Sequence, residues 1–164
     1  MVLDGQCDLG IAAYPVHDRR LRGEHVRDVA MMAVAAPAVA DRLNAADNLG
    51  AALGREPAVA YGVERPVLDD WLRHNGMQAI KLPPPAIAGQ DLRGLCRILR
   101  DGFGWSVMPE YLCRRYLDRG ELAQIRAPVG HILQQYFLIW APSALREPRI
   151  AHARQTLLWG LSEA

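Results

Sequence analysis

The chain has 164 residues, 51% hydrophobic and 23% charged, with a formal net charge of +1 at pH 7. This is a globular composition, long enough for one ordinary domain or two small lobes, and it excludes a disordered tail or a broadly basic nucleic-acid surface. No apolar run approaches the ~18 residues of a membrane span, and residues 1–6 lack the basic and apolar stretches of a signal peptide. Cys7, Cys96 and Cys113 are odd in number and far apart, with no Cys-x-x-Cys pair. That spacing fits a reducing compartment and argues against a disulfide framework or a zinc knuckle. The chain reads as soluble and cytoplasmic.

Residues 1–4 look like the end of a helix, with Gly5 after it. Residues 7–13 are short and mostly apolar, a strand of the buried parallel type, ending at Tyr14-Pro15 where a ligand loop belongs. Residues 17–22 form a charged, exposed connection. The apolar run 29–34 is a second strand that Pro37 stops, and residues 38–43 suit a short helix. Residues 47–53 suit a surface turn and helix, and residues 58–61 a strand broken by Gly62. Pro66 opens a helix with Val67, Leu68, Trp71 and Leu72 on one side and Gly76 at its end. Asp69 and Asp70 suit that helix's dipole better than a paired-carboxylate site. Residues 78–82 return as a strand, closed by Pro83-Pro84-Pro85.

The segment from Ile87 to Glu110 organises the middle of the chain: a loop, a helix, a tight turn, a strand and a new helix. Leu92, Leu95, Cys96 and Leu99 fall at i, i+3, i+4 and i+7. Asp91 stands at the N-cap position and Gly102 at C′. Pro109 suits the first position of the next helix. Two helix N-termini with free N–H groups bracket this unit, which suits a small anion or polar ligand, although a plain α/β packing unit shows the same pattern. Beyond it come a helix with Tyr111, Leu112, Tyr116 and Leu117, a short strand at 121–125, and a strong strand at 135–140. Pro148 starts a last helix with Ile150, Ala153, Leu157, Leu158 and Leu161 inward. Strands alternate with helices, so the fold class is α/β.

Signatures for a phosphate loop, a nucleophile elbow, a dinucleotide site or a paired-histidine metal site are missing. The five histidines are scattered, and Cys96 lies on an apolar helix stripe as a small core residue. The residues support neither catalysis, nor a metal, nor a cofactor. A binding module is what remains.

Three stretches together resemble the effector-binding domain of LysR-type transcriptional regulators: Leu3 to Ile11, Val29 to Pro37, and Gly102-Phe103-Gly104-Trp105-Ser106-Val107-Met108-Pro109. The resemblance covers essentially the whole chain, with Trp105 and Met108 replacing the usual aliphatics. It implies a two-lobed fold like a periplasmic binding protein of type II, with an anionic or amino-acid-like effector in the cleft between lobes. Lobe I would comprise residues 1–32 and 133–164, incomplete at its N-terminus, and lobe II residues 33–132. The implied effector contacts are Ala13, Tyr14 and Pro15, then Gly62, Val63 and Glu64, then Ala88, Gly89 and Gln90. Glu64 is read first as a helix cap, and Arg65 as a second charge that reads the ligand or caps the helix.

Also implied are homo-oligomers formed through lobe I, and DNA binding through a winged helix-turn-helix absent from this chain. The function expected is therefore effector sensing for a transcription regulator, not catalysis. A stand-alone solute-binding protein of the same fold is the alternative, as is a non-functional truncated remnant. A small α/β enzyme would need a catalytic set that the sequence does not show.

Overall fold

The computed structural model of the chain describes residues 1–162. It divides into two compact units, one formed by residues 1–29 with the segment from Leu133 onward, the other by residues 30–132.

The first unit opens with a turn in which the Gln6 N–H donates to Met1 O (3.0 Å) and the Gly5 N–H to Val2 O (3.3 Å). These are the paired bonds that close a helix C-terminus, as the position of Gly5 predicts. β1 (Leu9–Ala12) then runs antiparallel to β7 (Ile132–Trp140), in register from Leu9↔Trp140 to Ala12↔Phe137. This corrects the expectation of a buried parallel strand. β1 is an edge strand among the described residues, and Ile11 is 59% exposed. A short apolar run carries no information on pairing direction. The other neighbour of β7 is β2 (Arg22–Ala35), whose first half belongs to this unit.

Val26, Leu138 and Trp140 form the unit's core, with Leu145, Leu158 and Leu161 packed against it. Leu145 lies in a 3-10 helix (Pro142–Arg146), and the two other leucines in α6 (Pro148–Ser162). Arg154 of α6 sits 4.3 Å above the Trp140 ring and pairs with Glu24 of β2, which pins the helix to both strands. Leu157 was expected inward but is 39% exposed. With Leu158 and Leu161 facing the strands, a step of about 100° per residue carries Leu157 off the stripe.

In the second unit β2 continues through Met31–Ala35, where every residue is buried. It pairs antiparallel with β5 (Trp105–Pro109), from Met31↔Pro109 to Ala35↔Trp105, and with β6 (Ala123–Gln124) at Val34 and Ala35. Pro37 ends β2 and opens α1 (Pro37–Asn44). α2 (Leu49–Leu53) follows, its first turn capped by Asn48 Oδ1, which accepts from the Ala51 N–H at 2.9 Å. β3 (Val59–Ala60) then pairs parallel with β4 (Ile87–Ala88), and an Ala58–Trp105 bridge sets β5 parallel to β3 as well. Helices α3 (Pro66–His74), α4 (Leu92–Arg100) and α5 (Glu110–Asp118) follow β3, β4 and β5 in turn. Parallel strands covered by their helices are buried on both faces, as Val59, Ala60 and all of β5 are.

No strand forms at residues 78–82; the strand is β4, beyond the three prolines. The carbonyls of Leu82 and Pro83 accept instead from the Arg65 guanidinium, and the prolines that follow offer no N–H to a ladder. Pro109 is the N-cap of α5 rather than its first residue.

The caps of α4 are those the residues predict. Asp91 Oδ1 accepts from the Arg93 N–H at 3.0 Å, and the Gly102 and Phe103 N–H groups close the helix on Leu99 O and Ile98 O. Gly104 has a different constraint: a Cβ there would collide with the Pro57 carbonyl, which accepts the Trp105 N–H at 3.0 Å. Glycine lets β5 start against the chain that enters β3.

Candidate functional site

The register Val59↔Ile87 and Ala60↔Ala88 puts the carboxyl ends of β3 and β4 side by side. Two of the three candidate loops therefore meet within the second unit: Gly62, Val63 and Glu64 leave β3, while Ala88, Gly89 and Gln90 finish β4. The Gly89 N–H donates to Ala60 O at 3.0 Å, so the backbone itself holds the second loop against the first strand. Val63 is 76% exposed, and Glu64, Ala88 and Gln90 are also exposed. The carboxyl ends of parallel strands, where helices begin, are the usual place for ligands in α/β sheets.

Arg65 fixes the shape of this edge. It is the one non-glycine residue with positive φ (+40°) among the described residues, and it is the N-cap of α3. A left-handed residue with a side chain costs about 1–2 kcal/mol. Its guanidinium offsets that by donating to Leu82 O (3.0 Å), to Pro83 O and to Asp69 Oδ1 (3.3 Å). This arrangement corrects one expectation. Glu64 does not cap α3, because the cap position belongs to Arg65 and the helix has no side-chain cap hydrogen bond. Arg65 takes the cap position, one of the two roles expected of it, and its guanidinium donates to Asp69 and two carbonyls.

The third loop, Ala13, Tyr14 and Pro15, lies in the first unit directly after β1. There Gln134, buried on β7, donates from Nε2 to Ala13 O at 3.2 Å and holds the loop's start. Tyr14 is 45% exposed.

Two aromatic residues at the edge of the second unit escaped the sequence reading. Tyr61, 53% exposed, stands just past β3, and Tyr111, 60% exposed, lies in the first turn of α5 at the carboxyl end of β5. The signal for Tyr111 was present in the strand-Pro-Glu-Tyr pattern, but its value depends on β5 being parallel to β3. Among the described residues no three His, Cys, Asp or Glu side chains gather into a metal-holding group. Cys96 and Cys113 lie in the apolar cluster with Val34, Val59, Leu99 and Met108. Hydrogen bonding to Cys96 and burial push the Cys113 thiol far up, as suits a packed thiol rather than a nucleophile.

A sequence model of the LysR substrate binding domain matches residues 1–160. The chain belongs to that family. The HTH-type transcriptional regulator AbaB of Streptomyces antibioticus is 36% identical over 67 residues, which are 41% of this chain and 22% of that protein. ArgP from Mycobacterium tuberculosis superimposes with a TM-score of 0.83 at 18% identity, over 98% of this chain and 53% of that one. Full-length LysG from Corynebacterium glutamicum with bound effector Arg gives 0.77 at 15% identity, over 99% and 53%. The regulatory domain of CrgA from Neisseria meningitidis gives 0.75 at 15% identity, over 99% and 77%. The chain thus spans about half the length of the full-length regulators it matches. Its α/β fold is the periplasmic-binding-protein-like fold of LysR regulatory domains, a family of transcriptional regulators. Among the described residues no helix is long and apolar enough to cross a membrane.

Proposed function

We propose that this chain senses a small-molecule effector for a LysR-type transcriptional regulator. The observation that carries the reading is the β3–β4 register, which sets Gly62, Val63 and Glu64 beside Ala88, Gly89 and Gln90 at one strand edge of a family whose domains bind effectors. The resemblance adds Ala13, Tyr14 and Pro15 as the first unit's contribution. In this reading residues 1–32 with the segment from 133 form lobe I, and residues 33–132 form lobe II. The effector is anionic or amino-acid-like; of the two, the exposed Glu64 carboxylate and Gln90 carboxamide suit the ammonium of an amino acid, the class of the arginine named for LysG. Copies associate through lobe I, the protein works in the cytoplasm, and DNA contact comes from a helix-turn-helix that residues 1–162 do not include. Binding regulates only if the effector prefers one of two conformations, since equal affinity for both shifts nothing.

The test is a thermal-shift screen of amino acids and small carboxylates against the chain. A ligand at 100 times its Kd adds about 2.7 kcal/mol to stability. Gln90→Ala and Glu64→Ala are expected to weaken a positive compound roughly tenfold each, the worth of one lost polar contact. Both residues are exposed, so the free protein's Tm should stay within a degree or so. A compound whose shift survives both substitutions and Gly62→Val unchanged would place the site elsewhere.

A further inference from the structure

Asn75 closes α3 and is 4% exposed. Its carboxamide uses all four of its hydrogen-bonding positions. Oδ1 accepts from the N–H groups of Val129 (2.9 Å) and Gly130 (2.8 Å), and Nδ2 donates to Trp71 O (2.9 Å) and Gly130 O (3.0 Å). An amide flipped about its axis would set its NH2 against two N–H donors, so the network admits one orientation. The partner segment is also restrained, for Gly130 has φ +103°, a conformation that side chains rarely adopt. Gly130 stands two residues before Ile132, the first residue of β7, and the division between the two units falls at Ile132 and Leu133.

The opposite end of α3 holds a candidate effector loop. The Arg65 N–H donates to Gly62 O at 3.2 Å, and Gly62, Val63 and Glu64 lead directly into the helix. Between its ends α3 is a nine-residue helix with Leu68, Trp71 and Leu72 buried, a rod roughly 13 Å long. A helix hydrogen-bonded throughout shifts as a unit, so displacement of its first turn is felt at its last. We propose that Asn75 is a positioning residue, which transmits the state of the Gly62–Glu64 loop through α3 to Val129 and Gly130 and so to the entry of β7. The proposal rests on the reading of residues 62–64 as an effector loop.

The experiment is hydrogen–deuterium exchange on the whole chain without ligand, comparing the parent with Asn75→Ala and Gly130→Ala. Asn75→Ala is expected to speed exchange at residues 129–132 at least tenfold and at residues 61–65 severalfold, with residues 92–109 unchanged. Gly130→Ala is expected to give the same pattern more weakly, because a Cβ there meets nothing within 4 Å and only the backbone conformation is strained. Faster exchange at 129–132 with parent rates at 61–65 in both variants would overturn the proposal and leave a local clamp. If Asn75→Ala unfolds, with protection lost across 92–109 as well, Gly130→Ala decides by the same two outcomes. No ligand enters this experiment. A screened compound lost with Gln90→Ala would therefore preserve the effector reading even if the relay failed.

Discussion

In the unit of residues 30–132, Val59, Leu99, Trp71 and Trp105 are 0–1% exposed, whereas in the other unit Ile11 is 59% exposed and Trp159 66%. The first unit's buried apolar residues are Leu21, Val26, Val29, Leu138 and Trp140, too few to enclose a core on both faces of a sheet. Chain order accounts for the difference. From β3 to α5 each parallel strand is followed by its own helix, so the strands are covered as they are laid down. In the first unit β1 and β7 are antiparallel, and α6 packs on the Val26, Leu138 and Trp140 core alone. Exposed Leu157, Trp159 and Ile11 leave apolar area of the kind that oligomer interfaces use. The fully buried aromatic residues and six of the nine candidate ligand contacts thus lie in one unit, and the other encloses the smaller core.

The largest expected effect tests this contrast directly. Trp105→Ala should cost about 3–5 kcal/mol, since it empties a fully buried indole site packed 6.0 Å from Trp71, while Trp159→Ala should fall within about 0.5 kcal/mol. Urea unfolding followed by circular dichroism measures both. Equal losses would break the comparison. Next comes the glycine pair ahead of β5. Gly104→Ala should cost about 2 kcal/mol or more, combining a left-handed backbone with a collision against Pro57 O. Gly102→Ala, with φ +89° and nothing within 4 Å, should cost about 1 kcal/mol. The same urea titration checks the order of the two.

Much of this fold is legible wherever a local signal decides the structure. Asp91 and Gly102 mark α4, and Pro66 and Gly76 mark α3, because caps and positive-φ turns are written in single residues. β4 was illegible for the opposite reason. Two residues, Ile87 and Ala88, become a strand only through pairing with β3, some 28 positions earlier, while 78–82 had the composition of a strand and no partner. The candidate site divides the same way. Loops 62–64 and 88–90 were found through resemblance, but their adjacency depends on parallel register. Asn75 owes its place to contacts distant in sequence, and no spacing rule points to it, while the strand-Pro-Glu-Tyr pattern at Tyr111 gains meaning only once β5 is parallel to β3.

Cysteine chemistry gives a third, smaller contrast. Cys7 in the first unit is half-exposed, while Cys96 and Cys113 in the second are buried beside one another. A disulfide reagent should modify Cys7 within minutes and reach the other two roughly a hundredfold more slowly, at the rate at which the second unit opens. Raising the pH to 9 should not expose Cys113, because its thiol is held far above that value by Cys96 and by burial. Three thiols reacting together at the Cys7 rate would show that the second unit opens as readily as the first.

The smallest effect lies at a surface ion pair, where neither unit should hold an advantage. Asp18 accepts from the Arg20 guanidinium, with Nη2 to Oδ2 at 2.8 Å, and from the Arg20 N–H at 2.9 Å. These bonds, the side-chain one foremost, bring its carboxyl from 3.8 down to about 2. A depressed carboxylate stabilises the fold above pH 3.8, and that contribution is lost as the pH falls through about 2. The group is fully exposed, so water and salt screen the pair and Asp18→Asn should leave the urea midpoint at pH 7 unmoved within error. The shift itself should be plain by carboxyl carbon NMR, with a midpoint near 2 that climbs toward 3.8 in molar salt. A midpoint of 3.8 at low salt would mean that the pair does not persist in solution. A movement of the midpoint with Asp18→Asn would mean that charge, and not only apolar burial, separates the two units.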